Sequence, residues 1–189
     1  MWNISYTIGP RSRWLGLLAA ILALPACGDD GNGPSGPEGF RGPYTLDNWT
    51  ASGITGGTTS ITPAAGAADT ARFSYLVDLG NPGNGVSFRT ATYSVPAAHT
   101  GTVTFDWVYT GYHAFFATRA YLVVYAQTSS GTTEIPLIDE VASGGFSFNG
   151  TATIEVEAGL PFGVTIGGSN FDSDSELDGT LKVFNFDAP

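Results

Sequence analysis

From Ala71 onward the chain alternates apolar and polar residues in short runs. Ala71, Phe73, Tyr75, Val77 and Leu79 alternate with Arg72, Ser74 and Asp78; Val103, Phe105, Trp107 and Tyr109 alternate with Thr102, Thr104 and Asp106; Ala152, Ile154, Val156 and Ala158 alternate with Thr153, Glu155 and Glu157. A period of two is that of a strand with one buried and one wet face. The run Ala120-Tyr-Leu-Val-Val-Tyr-Ala126 is apolar on both faces and predicts a central strand, while Phe162–Ile166 and Leu181–Phe186 predict two closing ones. Turn signals separate the runs at Asn81–Gly85, His99–Gly101, Thr128–Gly131, Ser143–Gly145 and Ala158–Gly159. No helical period of useful length and no fixed repeat intervenes. The pattern predicts an all-β fold over residues 44–189, an antiparallel two-sheet β-sandwich of roughly nine strands, jelly-roll-like in its order.

The N-terminus breaks this pattern. Arg11 and Arg13 precede the apolar run Trp14–Leu24, which ends at Leu24-Pro25-Ala26-Cys27. A basic flank, a short apolar stretch and a small-residue boundary make a secretory leader over residues 1–26; a bilayer span needs about 20 apolar residues. The boundary resembles the lipobox of bacterial lipoproteins, which implies that Cys27, the single cysteine of the chain, is acylated and becomes the first mature residue. Each buried acyl CH2 contributes roughly 0.8 kcal/mol, so several chains together hold a protein on a membrane.

Residues 27–43 continue the break. Gly33, Gly36, Gly39 and Gly42 fall at every third position, within Gly-Pro-Ser, Gly-Pro-Glu, Gly-Phe-Arg and Gly-Pro-Tyr. That is the collagen period, in which only glycine fits the axis of three chains. Two readings stay open: a flexible spacer lifting the domain off the membrane, and a weakly trimerising stub.

Charge narrows the partners. The chain carries 17 acids against 7 basic residues, a net charge of −10. Loss of a leader holding Arg11 and Arg13 and no acid moves this to −12. Such a chain is repelled by phosphate, which argues against nucleic acid and against electrostatic docking on anionic headgroups. The expected membrane contact is the lipid alone.

Gly101-Thr-Val-Thr-Phe-Asp-Trp107, Ala120–Tyr125, Gly145-Phe-Ser-Phe148, Glu157–Val164 and Leu181–Phe186 follow one another in an ordered series. Over roughly residues 85–187 this series resembles the secreted β-sandwich domains of bacterial exported proteins that carry a PEP-CTERM sorting tail. The resemblance implies an extracellular jelly-roll-type sandwich and no chemistry.

Candidate chemistry is sparse. His99 and His113 are the two histidines, with no Gly-x-Ser-x-Gly elbow and no metal-binding His spacing. Asp106, Asp139 and Glu140 are glycosidase-type acids by residue type alone. Asp172, Asp174, Glu176 and Asp178 precede Gly179 and resemble the first half of a calcium loop, but the twelfth position from Asp174 is Asn185. The cluster reads either as a weak calcium site or as a solvated hairpin tip. Tyr109, Tyr112, His113, Phe115, Phe116 and, nearby, Arg119 crowd one expected loop, with Trp107 on the strand before it as a further candidate contact; aromatic faces pack on sugar rings, and the alternative is that Phe115 and Phe116 fold back to plug one end of the core.

The sequence therefore suggests an exported, lipid-anchored protein of the cell envelope, at the outer membrane or cell surface, acting as a non-catalytic binding or adhesion module for a glycan or an envelope protein. A structural subunit of an envelope assembly, including a homotrimer through the tether, is the alternative; a glycoside hydrolase fits least.

Overall fold

The alternating runs form strands, and their nesting defines the fold. A computed structural model of the chain describes residues 39–66, 69–77, 88–112, 117–170 and 177–189. Two single-turn 3-10 helices, Gly42–Tyr44 and Leu46–Asn48, precede ten strands: β1 Thr50–Ala51, β2 Gly57–Pro63, β3 Ala71–Val77, β4 Arg89–Pro96, β5 Gly101–Tyr112, β6 Ala117–Thr128, β7 Gly131–Ser143, β8 Phe146–Val156, β9 Pro161–Asn170 and β10 Leu177–Asp187. All pairs are antiparallel, in two five-stranded sheets ordered β1-β4-β9-β6-β7 and β2-β3-β10-β5-β8.

Four of these pairings nest inside one another: β6 with β7, β5 with β8, β4 with β9 and β3 with β10. This is one long antiparallel hairpin bent at the β6–β7 turn. Successive pairs go alternately to the two sheets, which rolls the hairpin up into a jelly roll. The chain is thus an all-β two-sheet sandwich, with β1 and β2 added at its edges.

The core lies between the sheets. Phe73 and Tyr75 from β3, Tyr93 from β4, Trp107 and Tyr109 from β5, Leu122 and Val124 from β6, Ile154 from β8, Phe162 and Ile166 from β9, and Leu181 from β10 are all buried. Ala158, read as the end of the β8 alternation, is instead exposed in the turn before β9. In β10 the alternation is reset by a bulge: Phe184 opposes Asp106, but Asp187 opposes Thr104, so β10 carries one extra residue. Asn185 sits there at φ +49, a left-handed conformation that Asn tolerates better than most residues. The reset turns Phe186 inward, where it stacks on Phe162 and Phe40 with ring centroids 6.4 and 4.6 Å apart.

Phe40 corrects the expected domain boundary. It is fully buried against Trp49, Phe73 and Phe186, so the folded domain begins before Tyr44. Gly39 has φ +93, and a Cβ there would lie 2.4 Å from the Phe186 carbonyl oxygen; Gly42 has φ +56. A collagen strand needs φ near −75°, so these two glycines of the triplet series serve turns that seat Phe40. The earlier triplets and Cys27 lie outside the described residues.

Candidate functional site

Two outer faces flank the core, and they differ in chemistry. On β6 the side chains of Ala120, Leu122, Val124 and Ala126 go inward, which leaves Arg119, Tyr121, Val123 and Tyr125 outside. On β9, Phe162, Val164 and Ile166 go inward, so Gly163, Thr165, Gly167 and Ser169 line the outside between β4 and β6. A Cβ on Gly167 would stand 2.0 Å from the Arg89 carbonyl oxygen and one on Gly163 1.9 Å from that of Tyr93. The close approach of β4 thus requires glycine at both places and leaves a low floor along β9. From Gly163 to Ser169 that floor runs about 20 Å. Thr90, Thr92 and Ser94 face it from β4, while Tyr121 and Tyr125 face it from β6. Thr92 and Thr165 share a hydroxyl–hydroxyl hydrogen bond of 3.0 Å across it.

One end of the floor is aromatic and charged. Phe88, just before β4, is 45% exposed. Its ring meets Tyr121 edge-on with centroids 5.1 Å apart and an interplanar angle of 85°. The Arg119 guanidinium carbon lies 4.7 Å from the Phe88 ring centre. Arg119 is itself held by Asp139 on β7: Nε donates to Oδ1 at 2.6 Å and Nη2 to Oδ2 at 2.8 Å. These bonds hold the Asp139 carboxyl below the usual carboxylate range. The pair is 40% and 47% exposed, so its importance lies in orientation more than in stability. It fixes a planar cation under an open aromatic ring.

The structure divides the aromatic cluster expected from the sequence. Trp107 and Tyr109 are 4% and 0% exposed and face the core, which closes them to a ligand. The Tyr109 hydroxyl donates to the Gly167 carbonyl at 2.9 Å and shares a 3.1 Å bond with the Tyr75 hydroxyl; burial pushes both phenols well above their usual pKa. Tyr112 is 59% exposed, but it continues the outer face of the second sheet, whereas Arg119 belongs to the first. His113, Phe115 and Phe116 lie outside the described residues. Sequence reasoning does not find Phe88, Tyr121 and Tyr125 as a binding surface, and it singles out Asp139 only as an acid by residue type. The trace of the two tyrosines is the run Ala120–Ala126, whose apolar character on both faces predicts burial.

The carboxylates are scattered too. Asp106 is on the outer face of the second sheet, accepting from Thr151 Oγ1 at 2.5 Å and Asn185 Nδ2 at 2.7 Å, which lowers its pKa. Asp139 is on the opposite outer face, so the two cannot flank one bond. Glu140 is exposed, next to Asp139 on edge strand β7. Of the expected calcium ligands, Asp178 is exposed on β10 and its Oδ1 accepts from the Tyr112 N–H at 2.8 Å; Asp172, Asp174 and Glu176 lie outside the described residues. Among the described residues no three His, Cys, Asp or Glu side chains gather to hold a metal. His99 lines a cleft of about 310 Å3 with Arg41, Tyr44, Phe186, Asp187 and Pro189. The Tyr44 hydroxyl there is committed, accepting from Ala98 N at 2.9 Å and donating to Pro189 O at 2.7 Å.

Comparison with known proteins adds neighbours of low identity. No family model matches the chain, and no curated relative does. Among solved structures, the chain is similar to the N-terminal cellulose-binding domain of Cellulomonas fimi β-1,4-glucanase C, at 15% identity and TM-score 0.40, over 83% of this chain and 97% of that one. It is also similar to the CBM22-1–GH10 modules of Clostridium thermocellum endo-1,4-β-D-xylanase 10B, solved with xylohexaose, at 9% identity and TM-score 0.40. That match covers 74% of this chain and spans about a quarter of the xylanase chain, 26%. The K1 cleaved adhesin domain of Lys-gingipain from Porphyromonas gingivalis W83 matches at 14% identity and TM-score 0.34, over 75% of this chain and 98% of that one.

Proposed function

We propose that the protein is a non-catalytic lipoprotein of the bacterial cell envelope, anchored through Cys27, whose sandwich binds glycans on the outer face of the β1-β4-β9-β6-β7 sheet. The observation that carries this is the half-exposed Phe88 ring, set edge-on to Tyr121 and over an Arg119 guanidinium oriented by Asp139. An exposed apolar ring is the partner that the C–H face of a pyranose takes. Arg119 and Asp139 supply donors and an acceptor beside it, and the hydroxyls of Thr90, Thr92 and Ser94 line the floor beyond. A strip about 20 Å long suits several consecutive sugar units of an extended chain better than a single monosaccharide. The lipid and the spacer before Gly39 would hold the domain at a distance from the membrane.

The test is binding of the purified protein to a broad panel of neutral polysaccharides by affinity electrophoresis, alongside Phe88→Ala and Tyr121→Ala. Retardation by at least one polysaccharide, lost in both variants while their melting temperatures hold, supports the reading. Retention of binding in both variants removes this face from consideration.

A further inference from the structure

The opposite outer face carries a cation pair with no carboxylate partner among the described residues. Lys182, the single lysine of the chain, stands directly across from Arg72 in the β10–β3 ladder. Both are half-buried on the outer side of the β2-β3-β10-β5-β8 sheet. Like charges directly opposite one another on a sheet repel, and this chain has 17 acids with which to separate them. It does not. The ion pair described above joins Arg119 to Asp139 on the other face, and among the described residues neither Arg72 nor Lys182 has a carboxylate within bonding distance. Arg72 Nε is buried without a hydrogen-bond partner.

The surroundings suit an anion that also carries hydroxyls. Beside the pair, a row of hydroxyl side chains crosses all five strands: Ser60, Ser74, Thr180, Thr110 and Ser147 occupy successive positions opposite one another. Ser74 and Thr180 are joined by a 3.0 Å hydrogen bond. Thr62 lies across from Arg72 and Val108 from Lys182. The acids of this face on the strands around Lys182 are Asp106 and Asp178; Asp69, three residues before Arg72, accepts from the Thr70 hydroxyl at 3.2 Å. Asp106 opposes Phe184, so its backbone is about 8 Å from that of Lys182; Asp178 is four residues along the strand, about 13 Å away. Asp106 already accepts from Thr151 and Asn185, and Asp178 from Tyr112. These distances are close to or beyond the physiological screening length of about 8 Å, so the local field at the pair is positive despite the acidic chain.

We infer that Arg72 and Lys182, with the Ser74–Thr180 hydroxyl row, form a subsite for the carboxylate or sulfate group of an acidic polysaccharide. Arg72 offers a planar fork and Lys182 a point charge, while the hydroxyl row meets the sugar's own hydroxyls. The inference rests on the glycan reading for the polymer that carries the anion, and adds to it a second face and a charge class.

The purified protein is titrated with polygalacturonate, dextran sulfate and neutral dextran, with Lys182→Gln and Arg72→Gln beside the parent. Binding to at least one of the two polyanions is expected, weakening as salt is raised. Each variant should lose roughly ten- to a hundredfold of that affinity, and the preferred polyanion identifies carboxylate or sulfate. Lys182→Gln relieves a repulsion, so its melting temperature should not fall, and the polyanion should raise that temperature in the parent alone. Absence of binding to both polyanions at low salt, or binding undiminished in Lys182→Gln, overturns the subsite. Neutral polysaccharide lost in Phe88→Ala, together with no binding of either polyanion by the parent, would leave the first face standing alone, whereas polyanion binding lost in Lys182→Gln with neutral polysaccharide unbound would leave the second, so the two claims fail separately.

Discussion

Arg119 grips both carboxylate oxygens of Asp139, at 2.6 and 2.8 Å. A fork bound at both prongs cannot swing, so the guanidinium plane is fixed beneath Phe88. Lysine cannot reproduce this geometry. Arg119→Lys should therefore weaken glycan binding by roughly tenfold while leaving the unfolding midpoint nearly unchanged, since solvent screens the exposed pair. Calorimetric titration beside urea unfolding separates the two effects.

The same pair sets a pH dependence. The Asp139 carboxyl is held below its usual range by the Arg119 hydrogen bonds, and that of Asp106 by bonds from Thr151 and Asn185. A carboxylate depressed in the folded state favours folding above its unfolded pKa of about 3.9, and this contribution disappears as pH falls through the lower folded value. Glycan binding should accordingly be flat from neutral pH down to about pH 5 and fall below the unfolded carboxylate range. An affinity–pH profile, with folding followed by circular dichroism, checks it; a midpoint near pH 6.5 would point to a histidine instead.

Tyr109 behaves as a core residue in this structure, whatever its neighbours in the sequence suggest. Tyr109→Phe leaves the Gly167 carbonyl and the Tyr75 hydroxyl each short of a partner. The expected loss is about 1–3 kcal/mol in urea unfolding. Binding of neutral polysaccharide by the folded fraction should be unchanged.

Phe40 marks where the domain starts. Phe40→Ala should cost roughly 3–5 kcal/mol, because the ring is fully buried against Trp49, Phe73 and Phe186. A chain truncated to begin at Tyr44 should lose a comparable amount relative to one beginning at Pro34. Equal unfolding midpoints for the two truncations would return residues 39–43 to the tether.

Asn185 holds the bulge that turns Phe186 inward. Asn185→Ala loses the bond to Asp106 and places a less suitable residue at φ +49, a cost of about 1–2 kcal/mol. Asn185→Gly should recover the conformational part only. Thermal unfolding of the two variants side by side distinguishes backbone strain from the lost hydrogen bond.

The strands with strict alternation were legible because their registers need no outside information: β3, β5 and β8 each bury the residues that the period of two assigns inward. β7 was not legible. It is an edge strand, with Pro136 inside it and a register shift opposite Leu122–Val123, so neither alternation nor propensity marks it. The jelly-roll order was foreseen as a type; the nesting of β3 to β10 rests on pairings distant in sequence. The binding face stayed hidden for a related reason. Phe88 meets Tyr121 only because β9 lies between β4 and β6 and presents glycine there, a coincidence of three registers. Trp107 and Tyr109 misled because their alternation assigned them inward while their place near Tyr112 and Phe115 suggested a loop, and the alternation prevailed.

The central claim is that the β4-β9-β6 face is where glycan binds. Backbone amide shifts of the isotope-labelled protein, recorded during titration with the tightest neutral polysaccharide fragment, test it most directly. The account predicts shifts concentrated at Phe88, Thr90, Arg119, Tyr121, Thr165 and Gly167, with the second sheet unmoved. Shifts centred on β3, β5 and β10, or on the His99 cleft, would contradict it.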